Sequence, residues 1–133
     1  MARYFEMKLS DVSLIGRGGK SKEYIHYCPI ADLKFLTKEI VNFANKNNGI
    51  TKAEIFSWLE GKNISKTKVF TANGHEYKIA MIFQFLLEES ILLKTNDSRK
   101  NINFQPNIGK KSILYQLTKD YADLAIYKRI MIV

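Results

Sequence analysis

Three short stretches hold side chains of the types that do chemistry. Gly19-Lys20-Ser21 matches the end of a phosphate-binding loop. That loop requires a glycine five residues before Gly19, so that backbone amides can wrap the phosphates, and position 14 is Leu. A helix should follow it, yet Glu23-Tyr24-Ile25-His26-Tyr27 patterns as a strand, which leaves a basic loop. Glu76-Tyr77-Lys78 has the E-x-K spacing that some nucleases place on a strand, opposite an upstream Asp, to hold a divalent metal. Here it leads into a helix, and no Asp lies between Asp32 and Glu76, so an exposed first helical turn is expected. His26 and Cys28 would share one side of a strand. With His75 they still fall short of the four ligands of a structural zinc site, and a Cys–His catalytic pair needs a geometry that spacing alone does not supply. No catalytic residue, metal or cofactor is expected, with metal-dependent cleavage through Glu76 as the residual enzymatic reading.

Basic residues in three polar stretches form the remaining signal. The first carries Arg17, Lys20 and Lys22, the second runs from Lys62 to Lys68 and includes Lys66, and the third runs from Lys94 to Lys111. The third holds Arg99, Lys100, Lys110 and Lys111 against the single acid Asp97, with Asn96, Asn101, Asn103, Gln105 and Asn107 as amide donors and acceptors. The formal net charge of the 133-residue chain is +8, which favours a polyanion: nucleic acid first, an anionic surface or acidic protein second. Solvated loops explain the same residues almost as well. Tyr24 and Tyr27 beside Lys20 and Lys22 raise single-strand stacking, but core packing accounts better for nearly all the aromatics.

These residues need a scaffold, and the composition provides for one. Hydrophobic content of 46% and charged content of 26% are those of an ordinary globular chain with one real core, not a disordered one. The single Cys28 excludes an internal disulfide and fits a reducing compartment. Residues 1 to 6 lack the apolar run of a signal peptide, and no run approaches the ~18 apolar residues of a membrane span, so a cytoplasmic protein is expected.

Residues 1–29 read as an extension with short strands at Phe5–Leu9, Val12–Ile15 and Tyr24–Tyr27, with a basic loop from Gly16 to Lys22 between the last two. Residues 30–133 read as the main domain. A first helix runs from about Asp32, its cap, to Asn47, with Leu33, Leu36, Ile40, Phe43 and Ala44 on one face and Asn47-Asn48-Gly49 as the stop. Thr51-Lys52-Ala53-Glu54 fits a capping box that opens a short second helix ending at Gly61. A polar connector follows, then a third helix from about His75 to Ser90, apolar on more than one face, with His75 to Lys78 exposed. A long hairpin loop from Thr95 to Lys111 separates two strands, the second being Ser112–Thr118. A last helix is expected from Thr118, with Asp120 in its first turn.

The order helix, glycine turn, capped helix, connector, apolar third helix and hairpin is α+β and resembles the winged helix-turn-helix DNA-binding domains, most nearly those of restriction-system proteins. Phe85-Leu86-Leu87-Glu88-Glu89-Ser90-Ile91-Leu92-Leu93 and Tyr115-Gln116-Leu117-Thr118 carry the resemblance. Ser90 replaces the usual glycine after the third helix, whose outer face offers mainly Lys78 and Gln84. The resemblance implies a small regulator or mobile-element protein that contacts double-stranded DNA through Lys66, Lys68, His75, Lys78, Arg99, Lys100, Lys110 and Lys111, with Arg17, Lys20 and Lys22 as a secondary basic loop. Backbone contacts through the wing and connector should outweigh base reading. The alternative is a protein-interaction module, an inhibitor or adaptor, on the same scaffold. The C-terminal helix either pairs two chains or packs on the first helix.

Overall fold

The computed structural model describes residues 4–20, 23–55, 75–101 and 109–132. The fold is mixed α+β. An antiparallel meander, β1 (Tyr4–Leu9), β2 (Ser13–Gly18) and β3 (Tyr24–Pro29), leads into helix α1 (Ile30–Lys46). A helical turn at 52–55 precedes helix α2 (His75–Glu88). The antiparallel hairpin β4 (Leu92–Lys100) and β5 (Lys111–Leu117) follows, then a 3-10 turn (Tyr121–Asp123) and helix α3 (Ala125–Ile132). No helix among the described residues is long and apolar enough to cross a membrane.

The three N-terminal strands form as expected, but the presumed loop at Gly16–Gly18 is strand. Strand alternation turns Leu14, Gly16 and Gly18 inward, opposite Cys28, His26 and Tyr24 on β3. Gly16 is required by close approach: a Cβ there would lie 2.8 Å from Cδ1 of Tyr4 and 3.1 Å from the Met81 methyl. The glycines make room for aromatic rings, and their loop-like composition hides this.

One buried cluster joins the sheet to the helices: Tyr4, Leu14 and Cys28 share it with Leu33, Leu36, Ile40 and Ala44 of α1 and with Ile79, Ile82 and Leu86 of α2. The spacing of α1 thus buries the expected face, although the helix starts before Asp32. Its N-cap is Pro29, with no side-chain cap bond, and Asp32 lies buried in the first turn. The expected stop holds, with left-handed Asn48 (φ 54°) and Gly49 (φ 114°). The capping box also forms, Thr51 N donating to Glu54 Oε1 at 2.9 Å and Glu54 N to Thr51 Oγ1 at 3.1 Å. Residues 56–74, with the expected end of the second helix and the connector, lie outside the described residues.

Ile50 pairs with Tyr115 through two backbone hydrogen bonds of 2.8 Å, joining the segment after α1 to the hairpin. The hairpin is more regular than the loop expected over Thr95–Lys111, since β4 reaches Lys100. Its irregularity is a bulge between Lys94 and Ser98, where β4 carries excess residues. Thr95 Oγ1 pins it, donating to Leu114 O at 2.8 Å and accepting from Asp97 N at 3.0 Å.

The last helix begins at Ala125 rather than near Thr118, whose side chain bonds the Ser90 carbonyl and whose carbonyl accepts from Tyr121 N. Left-handed Asp120 (φ 60°) breaks the chain direction between them. Helix α3 packs on α1 through buried Ile130, and Asn45 Nδ2 donates to the Tyr121 hydroxyl at 3.1 Å. Packing on the first helix, one of the two arrangements left open for this segment, is thus present within the single chain.

Ser90 ends α2 with φ 61° and closes a Schellman motif, Ile91 N to Leu86 O at 2.9 Å and Ser90 N to Leu87 O at 3.1 Å. The left-handed conformation costs an L residue about 1–2 kcal/mol, partly offset by the chain entropy that glycine loses on folding. Ser90→Gly should therefore raise stability by up to about 1 kcal/mol, read as a higher urea midpoint at unchanged m-value.

Candidate nucleic-acid interface

Helix α2 decides how the expected site residues are used. From Tyr77 to Leu87 every residue is buried or half-buried. Its apolar positions face α1 and the hairpin, and the N-terminal sheet covers much of the rest. Gln84 joins the start of β1 through its side-chain amide: Tyr4 N donates to Oε1 at 3.0 Å, and Nε2 donates to Tyr4 O at 2.7 Å. His26 of β3 stacks on Tyr77 with ring centroids 4.5 Å apart and shares a 2.8 Å hydrogen bond through Nδ1 with the Tyr4 hydroxyl.

Lys78 was expected at an exposed turn, in contact with DNA. It is instead 3% exposed, with Nζ 2.6 Å from Asp32 Oδ2. Burying an ammonium is costly unless it is paired, and Asp32, three residues past Pro29, meets it at the junction of β3, α1 and α2. Oδ1 of Asp32 and the Thr37 hydroxyl are buried without a hydrogen-bond partner among the described residues. Lys78 is thus a core residue, and Asp32 is its counter-ion rather than a helix cap.

His26 and Cys28 do share the inner face of β3. Cys28 is fully buried. Burial foremost, together with the Asp32 carboxylate, pushes its thiol from an ordinary 9.0 up to about 12, with Lys78 opposing. A nucleophilic cysteine requires the reverse shift. Among the described residues no group of three His, Cys, Asp or Glu could hold a metal ion.

Arg99 is also engaged. Its Nη1 lies 3.0 Å from Glu54 Oε2 and 3.1 Å from Oε1, and Nη2 donates to Asn47 O at 2.7 Å. It ties β4 to the capping box and the end of α1 while its side chain remains part-exposed. Lys100, Lys110 and Lys111 are exposed at the far end of the hairpin, and Lys94 is exposed beside the bulge. No carboxylate among the described residues pairs with any of the four. Lys100 and Lys111 are direct cross-strand partners, an arrangement in which like charges repel. Arg17 and Lys20 are exposed at the other end of the molecule's sequence, in and just after β2. Lys22, Lys66, Lys68 and the His75 side chain lie outside the described residues.

Two outcomes follow from the buried groups. Lys78→Met should cost about 3–5 kcal/mol in urea unfolding by leaving Asp32 uncompensated, and adding Asp32→Leu should recover much of that loss; additive losses would show that the two do not act as a pair. For Cys28, the unfolded thiol loses its proton near pH 9 while the folded one keeps it to about pH 12. Stability therefore declines as pH rises through that window, by up to about 1.4 kcal/mol per pH unit from this group, and the group is without effect below it. The difference in unfolding free energy between about pH 8 and about pH 10.5 should be smaller in Cys28→Ala than in the parent.

Compared with known proteins, the chain matches no family model, no curated protein and no solved structure.

Proposed function

We propose that the chain is a small winged-helix protein that binds duplex DNA through its β-hairpin, gripping the phosphate backbone rather than reading bases. The exposed lysine pair Lys100 and Lys111 carries this reading. Two ammonium groups held directly opposite one another destabilise the hairpin unless an anion lies between or beside them, and Lys110 adds a third charge at the same end. The Ile50–Tyr115 bridge supports the scaffold. It is a one-residue bridge, in the place after the first helix where a winged helix would add a short strand to its hairpin.

The covered state of α2 favours backbone contacts. Base reading needs a helix or ribbon whose side chains reach into a groove, while Lys78 and Gln84 are occupied by Asp32 and by the Tyr4 backbone. Affinity should then be largely electrostatic and indifferent to sequence.

For a random-sequence duplex, affinity should fall steeply between about 50 and 200 mM salt. Lys100→Ala, Lys110→Ala and Lys111→Ala together should reduce the slope of log affinity against log salt by about 0.9 per lysine. An unchanged slope in that triple variant would remove the hairpin from the interface.

A further inference from the structure

The meander has a second face, directed away from the core. Alternation places Lys8, Ile15 and Tyr27 in one cross-strand row and Glu6, Arg17 and Ile25 in the next. Phe5 joins them because the register of β1 shifts between Tyr4 and Glu6. Phe5 is 61% exposed, Tyr27 53% and Ile25 42%. Two aromatic rings on this outward face stand on the outer strands on either side of Arg17, more exposed than packing requires. From strand spacing and rise their Cα atoms lie about 12 Å apart, room for a base on each ring with the connecting backbone crossing the central strand.

We propose that this outer sheet face, centred on Phe5, Arg17 and Tyr27, binds single-stranded DNA, with bases stacked on the two rings and phosphate held by Arg17 and Lys8. Stacking on aromatics beside a cationic track is the general means of holding an unpaired strand, because every base has a π-face. Arg17 and Lys8 form no ion pair among the described residues, even though Glu6 is the register partner of Arg17. Lys20 extends the cationic track past the end of β2, against Glu6 and Glu23 as the nearby acids. The net charge of +8 draws a polyanion to this face and opposes its use to join two copies of the chain. Between the rings lie Ile15 and Ile25, apolar surface suited to deoxyribose and the thymine methyl and poor in partners for a ribose 2′-hydroxyl. The proposal goes beyond the duplex reading and does not depend on it.

Fluorescence anisotropy of the whole protein with oligo(dT), oligo(rU) of equal length and a random duplex tests it. Phe5→Ala with Tyr27→Ala should weaken oligo(dT) binding at least about tenfold and leave duplex binding unchanged, while Tyr27→Phe should bind as the parent does. Arg17→Ala, at an exposed site where folding is not at stake, should weaken oligo(dT) binding and lower its salt slope by about 0.7. Unchanged oligo(dT) affinity in the double variant or in Arg17→Ala overturns the proposal. So does tighter binding of oligo(rU), or a dimer on a sizing column that the double variant abolishes.

Discussion

The rest of the structure depends on the enclosure of helix α2. Its residues from Tyr77 to Leu87 leave no side chain fully exposed, so every polar group on it must find a partner within the protein. Lys78 takes the Asp32 carboxylate, and Gln84 takes the backbone of Tyr4. Those two requirements fix where α1 begins against β3 and where β1 starts across the helix. They also give the N-terminal sheet its purpose: it closes one side of α2 and brings Tyr4, Leu14 and Cys28 into the same core. Replacing the buried pair by apolar residues of similar size need not weaken such a junction; what the pair adds is a single permitted alignment of three elements.

Much of the architecture was legible from local pattern. The spacing of Leu33, Leu36, Ile40 and Ala44, the Thr51–Glu54 capping box and the Asn48-Gly49 stop are properties of near neighbours, and each appears as the residues dictate. What local pattern misses is tertiary. Asp32 and Lys78 are 46 positions apart and Tyr4 and Gln84 are 80 apart, so an apparent helix cap and two apparent surface groups on a helix turn out to hold the interior. Gly16 and Gly18 resemble loop residues until the rings of Tyr4 and Tyr24 are seen above them. Arg99 looks like one cation among several, yet among the described residues it is the one basic residue of the hairpin that meets a carboxylate.

The candidate interfaces divide along the same line. Lys78 and Gln84 of the helix are engaged inside the protein, and Arg99 is held at a joint by Glu54. Those left over, Lys100, Lys110 and Lys111 on the hairpin and Phe5, Arg17 and Tyr27 on the sheet, lie on outward surfaces whose chemistry folding does not use.

Glu54 has a consequence of another kind. Its carboxylate closes the capping box through the Thr51 amide and also receives the Arg99 guanidinium from the hairpin. The hairpin and the start of the second helix therefore share one fastening. Lateral force on the end of β4 would pass through Arg99 to that carboxylate, and from there to the first turn of the helix. A load large enough to draw Arg99 away would loosen the helix start in the same movement, leaving the Ile50–Tyr115 bridge to hold the hairpin to the preceding segment.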